Sequence, residues 1–508
     1  MSKFNSNSKS NVGIKDTTNV AGTPAYSREY KNEIVSIVMN SLLNGDSYYE
    51  TDASRIKNIE ALMKKGLNDA ENAEFLAKAM VYTRTKGNLR SVSHLMGTIL
   101  SENVKGSEFM RPALKNAFLR PDDASEVVSL FLTRNKDAMI PNALKRAIKD
   151  NLETTWDEYQ LKKYEGTSKA VKLKDLIKLT HPNPVKLVEL GKAKDNFVFK
   201  RVIEETLSNI ATAQTVNAGS TGEERASNYK QMLKDRKLGY MGALKNIKNI
   251  LSAGADTETV DMLCNFLTNE KAVRNSMVLP FRFVQAYVEV SALNYDRIKI
   301  KQVLNAIEDA FILSAKNVPI VEDGETVAIL LDESGSMGGW GSENLSSTSP
   351  FMIGKTLMAS MLTGLDKNKA VGYLWADNSR EISVNGRPFE FMTRTKTQGG
   401  GTDIAGAFNG LVRTKTNVDK IVIITDMQHN QLSSVDAKIR EYKNSVNPNV
   451  KILFWNVQGY GKGTPVKMSG QVLEMSGFND KLLEVAAKML KYSDLNYLVK
   501  EIESISLN

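Results

Sequence analysis

The hydrophobic period of this chain changes once, near Val318, and that change limits what it can fold into. From about residue 28 to 315, apolar residues recur three and four apart, as in NIEALMKKGL (Asn58–Leu67), SEVVSLFLTR (Ser125–Arg134) and VDMLCNFL (Val260–Leu267). Such spacing lines one face of a helix. Start and stop signals recur: PDDASEVV offers Asp and Ser caps before an apolar face, and RTKGN (Arg84–Asn88) offers a stop. Helices of ordinary length with short links predict stacked helical pairs, an α-solenoid, although no motif repeats at a fixed period. After Val318 the apolar runs become continuous: Val327–Leu331, AVGYLWAD (Ala370–Asp377), KIVIITD (Lys420–Asp426) and VKILFWNV (Val450–Val457). Helical stretches lie between them, at Met352–Leu365, Thr402–Val412 and Ser433–Lys443. Strands buried on both faces and alternating with helices predict a doubly wound α/β sheet.

Three parts follow. Residues 1–25, rich in Ser, Asn, Gly and Lys, read as a flexible N-terminal arm. Residues 26–319 form the helical part and 320–508 the α/β part. A chain of 508 residues is long enough for two or three domains, and 42% hydrophobic with 25% charged residues is globular composition. The N-terminus has no apolar core of a secretory signal, and no eighteen apolar residues run together, so neither export nor a membrane span is expected. The single cysteine, Cys264, precludes an intrachain disulfide and suits a reducing, cytoplasmic setting. Residues 1–320 hold 47 Lys+Arg against 37 Asp+Glu, a balance of +10, and the remainder holds 20 against 21. The helical part is therefore the one suited to a polyanion.

Ligands of a doubly wound sheet bind at the carboxyl ends of its strands. Three loops are expected there. Asp332-x-Ser334-x-Ser336 follows the first strand, GGGTD with Thr402 and Asp403 opens a helix, and Asp426 ends another strand. All supply oxygen donors, which select hard divalent cations, Mg²⁺ foremost. This pattern resembles a metal-ion-dependent adhesion site in a von Willebrand factor A domain, with Asp332, Ser334, Ser336, Thr402 and Asp426 as metal ligands. Two rivals fit less well. SPFMIGKT (Ser349–Thr356) is similar to a Walker A loop, but it lies far past its strand and inside an amphipathic helix. A serine nucleophile needs a base, and only His94, His181 and His429 exist; His429, closest to Asp426, reads as an exposed loop residue. No catalytic machinery is read.

Ordered strings extend the comparison: MIPNALKRAI (Met139–Ile148), DEYQLKKY (Asp157–Tyr164), LKDLIKLTHPNP (Leu173–Pro184), LGYMGALKNIKNI (Leu238–Ile250), CNFLTNEKAVRNSMVLPFRFVQAY (Cys264–Tyr287), GGGTD and VLEMSGFN (Val472–Asn479). In this order, ahead of and within the α/β part, they resemble the TROVE-domain family, the Ro autoantigen and its bacterial orthologues. The resemblance implies a ring of HEAT-like helical repeats followed by a von Willebrand A-like domain. It implies a non-catalytic ribonucleoprotein component that binds small noncoding Y-like RNA and single-stranded 3′ ends of misfolded RNA. An exoribonuclease tethered through the RNA is a further implied partner. By position in the matching strings, Lys163, Lys169, His181 and Arg282 are the implied RNA contacts, and Tyr164 reads as core. HPNP here replaces the family's H-x-K-P and so loses one basic group. The alternative is a metal-dependent protein-interaction or scaffold module without RNA function.

Overall fold

The computed structural model describes residues 15–40, 51–165, 170–207, 220–276, 278, 280–315, 320, 324–338, 345, 349–363, 365, 369–382, 387–431, 433–460, 463–477 and 481–507. Among these, all regular structure between Tyr30 and Ala315 is helical. Helix Ala70–Thr85 packs on Arg90–Asn103 and Met110–Ala117, which packs on Asn142–Thr154, which in turn meets Leu173–Thr180. Farther on, Tyr240–Ser252 packs on Pro280–Ser291, and Thr257–Leu267 on Arg297–Ala315. Each helix thus buries its apolar stripe against near neighbours in sequence, as the three-and-four spacing requires.

One buried carboxylate ties the early helices together. Asp123 accepts from Arg84 Nη2 at 2.8 Å, Arg90 Nε at 3.1 Å and the Arg120 amide at 3.0 Å, and its Oδ1 lies 2.9 Å from His94 Nε2. Burial opposes its charge, but hydrogen bonds and positive charge from His94 and Arg84 outweigh burial and hold the carboxyl far below the usual range.

The mixed sheet begins at β3 (Val327–Asp332), after two short N-terminal strands, β1 (Thr17–Thr18) and β2 (Pro24–Ala25). It continues with β4 (Ala370–Trp375), β5 (Ser379–Ile382), β6 (Lys420–Thr425), β7 (Lys451–Asn456) and β8 (Val472–Ser476), in the order β5-β4-β3-β6-β7-β8. All neighbours are parallel except β4 and the edge strand β5. The sheet is covered on both faces, and alternate residues serve different cores. Val327, Ile329, Leu331, Val422 and Ile424 join a cluster continuous with the helical part, whereas Ala328, Leu330, Ile421 and Ile423 join a second cluster under Val435–Ser445. Gly354, in helix Pro350–Thr363, allows the closest approach to β3: a Cβ there would sit 2.3 Å from Leu331 Cδ1.

The α/β unit holds both ends of the helical array. At the start, helix Tyr30–Asn40 lies on β8, and Arg28 forks onto Glu474 at 2.6 and 3.1 Å. Helix Tyr497–Glu503 packs on Ala70–Thr85, with Lys78 Nζ donating to the Glu503 carbonyl at 3.1 Å. At the far end, Pro280–Ser291 and Arg297–Ala315 pack on Pro350–Thr363. There Tyr287 stacks on Phe389 at 4.2 Å, and buried Glu308 accepts from the Phe389 amide at 3.0 Å and pairs with Arg387 at 2.8 Å.

Of the expected flexible arm, residues 1–14 lie outside the described residues. Residues 15–25 are ordered: β1 and β2 form a hairpin seated on the α/β unit, with Asn19 and Ala25 buried. Composition predicts no core in this segment, yet it takes its partners from sequence more than 400 residues away. Gly463, at φ +57°, permits the contact, since a Cβ there would lie 2.6 Å from Ala25 Cβ.

Asp123→Asn leaves Arg84 buried opposite a neutral partner. It should destabilise the chain by about 3–5 kcal/mol, read from denaturant unfolding; a loss under about 1 kcal/mol would show that the hub is not needed.

Candidate functional site

In a doubly wound sheet the strand order reverses at one place, and here that place lies between β3 and β6. The chain runs outward from β3 to β4 and then returns to the other side of β3 as β6. Loops that leave neighbouring strands in opposite directions open a crevice at the carboxyl ends. Asp332 closes β3 and Asp426 follows β6, so both carboxylates stand at that crevice.

Asp332 is fully buried; its Oδ1 accepts from the Ser334 amide at 2.8 Å and its Oδ2 from Thr425 Oγ1 at 2.6 Å. Ser334 Oγ lies 3.3 Å from Ser336 Oγ, and the Ser336 hydroxyl lies near enough to the Asp426 carboxyl to lower its pKa. The Gly335 amide approaches the Gly400 carbonyl at 3.4 Å, which brings the Thr402 loop against the serine loop. Asn430 pins Thr402 by accepting from its amide at 2.9 Å and donating its own amide to the Thr402 carbonyl at 3.1 Å. Ser334, Ser336 and Thr402 are all buried. Thus all five sequence-predicted ligands stand in three loops that meet.

The electrostatics favour a cation. Burial first, and the charge of Asp426 second, push the Asp332 carboxyl well above its usual range. Burial likewise raises Asp426, against hydrogen bonds from Ser336 and the Gln428 amide. Asp426 Oδ2 is buried with no hydrogen-bond partner. Two buried carboxylates facing one another, one with an open oxygen, and three hydroxyls make a donor set suited to Mg²⁺ or a similar hard ion. Among the described residues no group of three or more His, Cys, Asp or Glu offers a metal site. The distinguishing feature here is that hydroxyls complete a pair of carboxylates.

Sequence reasoning missed the groups that hold these loops. Glu333, buried between Asp332 and Ser334, pairs with Arg380 at 2.8 Å and accepts from the Gln398 amide at 3.1 Å. Its carbonyl accepts from Thr397 Oγ1 at 2.7 Å, so the glycine loop is fixed to the end of β3. His429 is buried, not exposed. Its Nδ1 accepts from the Ile404 amide at 3.2 Å and its Nε2 donates to the Ser433 carbonyl at 2.9 Å, so both ring nitrogens brace backbone. Burial lowers its pKa. The Walker-like segment is helical, and Lys355 is buried with Nζ donating to the Met392 and Thr395 carbonyls at 2.7 and 3.0 Å.

A second constellation lies in the helical part. Lys245, exposed on helix Tyr240–Ser252, has its ammonium pKa lowered by partial desolvation and then by Arg282, Lys163 and Arg120. Four cations from four distant stretches therefore share one neighbourhood. Arg120 and Lys163 come from the first half of the array, and Lys245 and Arg282 from the second. Aromatic rings lie among them. Lys163 Nζ sits 5.6 Å from the centres of both Tyr159 and Tyr164, and Arg120 lies 5.3 Å from the latter. Tyr164 is half-buried beneath these cations and not a core residue; Tyr159 is 41% exposed.

Of the four implied RNA contacts, Lys163 and Arg282 are exposed and belong to this group. Lys169 lies outside the described residues. His181 is exposed at the end of helix Leu173–Thr180, in the left-handed region at φ +46°. Arg120, Lys245 and Tyr159 were not foreseen, because their proximity depends on how distant helices pack.

Residues 217–310 match the family model of the TROVE domain. A similar solved structure is the crystal structure of the Deinococcus radiodurans RO (RSR) protein. It shares 15% identity at a TM-score of 0.58, over 91% of this chain and 100% of that one. The crystal structure of an aerotolerance-related membrane protein from Bacteroides fragilis, with multiple mutations to serines, is matched at 19% identity. It covers 35% of this chain and 97% of that one, at a TM-score of 0.21, too low to support any argument. No curated protein matches.

If Asp332 and Asp426 repel across the crevice, Asp426→Asn should stabilise the protein in chelator at pH 8 by on the order of 1 kcal/mol, a rise of about 1 °C in Tm. The sign follows from the raised carboxyl pKa values: the folded state holds protons that the unfolded state has lost, so stability falls as pH rises above 3.8. A lower Tm for the variant at pH 8 would contradict the repulsion.

Proposed function

We propose that this chain, a TROVE-family protein with the fold of a Ro protein, is a non-catalytic RNA-binding component of a ribonucleoprotein. The single observation that carries this reading is the neighbourhood of Lys245, where Arg120, Lys163 and Arg282 converge beside Tyr159 and Tyr164. Phosphates are met by Lys and Arg, and unpaired bases stack on aromatic rings, so cations interleaved with exposed tyrosine suit a single strand. A small noncoding RNA and the 3′ ends of misfolded RNA are the proposed ligands. An exoribonuclease joined through the RNA is a proposed partner, with a cytoplasmic setting. The contacts of the α/β unit with both ends of the array support a closed ring of helices.

In this reading the α/β unit is a von Willebrand A-like domain. Asp332, Ser334, Ser336, Thr402 and Asp426 would hold a divalent cation, Mg²⁺ by donor chemistry, directly or through water. The ion would neutralise the facing carboxylates and brace three loops. The buried, unpartnered Asp426 Oδ2 also supports a second role for this unit, metal-dependent docking of a protein partner that supplies an oxygen ligand.

Lys163→Gln, Lys245→Gln and Arg282→Gln should each weaken binding of single-stranded RNA severalfold. Each should reduce the salt slope of log affinity by roughly 0.7 per lost phosphate contact. Tyr159→Ala and Tyr164→Ala should cost about 1–3 kcal/mol per lost stack with the slope unchanged. Filter binding across a salt series measures both. Wild-type affinity and slope in all three cation variants would reject the site, and RNA-independent capture of a protein partner abolished by chelator would favour the docking role.

A further inference from the structure

The hairpin that composition assigns to a flexible arm reaches the loop behind Asp426 by direct bonds. Asn19 Nδ2 donates to the His429 carbonyl at 2.9 Å, and Thr23 Oγ1 donates to the same oxygen. The Ala21 amide donates to Gln428 Oε1 at 3.2 Å. Asn19 also shapes its own turn, since its Oδ1 accepts from the Thr23 amide at 2.9 Å. Tyr26 and Thr464 exchange amide-to-carbonyl bonds, both at 2.9 Å, and Tyr26 Oη donates to Asp436 at 2.9 Å. Asn19, Gln428 and His429 are all buried.

The loop so gripped is the one that aims two of the candidate ligands. The Gln428 amide donates to Asp426 Oδ1 at 3.1 Å, and Gln428 Nε2 donates to the Asp426 carbonyl at 3.2 Å. Asn430 pins Thr402 as described above, and His429 accepts from Ile404, two residues beyond Thr402. Met427 between them has φ +64°, a conformation costly for a residue with a side chain and held only by its surroundings. A strained loop whose carbonyl and side-chain amide oxygens are bonded by another segment depends on that segment for its shape.

We propose that the hairpin of residues 15–26 is a clasp of the divalent-cation site, with Asn19 and Thr23 as positioning residues for Asp426 and Thr402. This rests on the metal reading above. Groups that orient metal ligands from behind typically contribute 10- to 100-fold in affinity. Coupling between two sites is reciprocal, so a bound ion must also tighten the hairpin. Release of the hairpin would lower the affinity of a site whose five ligands remain intact.

Calorimetric titration of the full chain with Mg²⁺ and Mn²⁺ tests this in wild type, Asp332→Ala and the double variant Asn19→Asp/Thr23→Val. The variant removes both donors to the His429 carbonyl and keeps the Asn19 turn acceptor. Binding by wild type, loss in Asp332→Ala and about tenfold weaker binding in the double variant are expected. Amide hydrogen exchange of wild-type residues 15–26, with and without Mg²⁺, needs no substitution and should slow with the ion. Equal affinity in wild type and a folded double variant, or exchange unchanged in a chain that binds Mg²⁺, overturns the clasp and leaves the metal site standing. Wild type that binds neither ion overturns both.

Discussion

The α/β unit is fastened to both ends of the helical array, and much of the architecture depends on that double attachment. At the first end a buried Arg28–Glu474 fork and helix Tyr30–Asn40 meet β8. At the other, Glu308 and the stacked Tyr287–Phe389 pair meet the segment that leads to the glycine loop. A run of helices that contact mainly sequence neighbours has no intrinsic reason to bring its halves together. Here the α/β unit contacts both ends, and Arg120 and Lys163 share a neighbourhood with Lys245 and Arg282. Mutual repulsion among four cations opposes this arrangement, so the apolar contacts of the continuous core must outweigh it. A polyanion would convert that repulsion into attraction.

The same helix serves both regions. Pro280–Ser291 carries Arg282 among the cations and, further along, Tyr287 on Phe389. From Phe389 the chain runs through Thr395, whose carbonyl is bonded by Lys355, to Thr397 and Gln398, which are bonded to Glu333. The two constellations are therefore joined through packed and hydrogen-bonded side chains. At the crevice itself two buried carboxyls face one another, burial and proximity disfavour charge on both, and hydroxyls and amides are aimed at them.

The α/β half was legible because its chemistry is local. Asp332, Ser334 and Ser336 lie within five residues of one another, and each apolar run ending in Asp announces a buried strand and its carboxyl end. Asp426 and Thr402 could be joined to them because strand ends in such a sheet face one crevice. The helical half was legible as helices and as excess charge, and only the family resemblance singled out Lys163 and Arg282 within it. Nothing in the sequence separation of Arg120, Lys163, Lys245 and Arg282 says that they meet, for that is a property of how helices stack. Tyr164 read as core because an aromatic beside a helix end usually is, yet cations lie over its ring. The hairpin at 15–25 was misread for the same reason, since polar composition does not reveal partners on a loop more than 400 residues away. Histidine 429 misled in the opposite sense: a loop position suggested exposure, while two backbone groups bind its ring.

Photocrosslinking of the chain to a single-stranded RNA containing 4-thiouridine, followed by mass spectrometric mapping of the attached peptides, tests whether one strand meets both halves of the helical array. Adducts are expected at Tyr159 or Tyr164 together with peptides bearing Lys245 and Arg282, so that both halves of the array label at once. Labelling confined to one half, or to the α/β unit alone, would contradict this expectation.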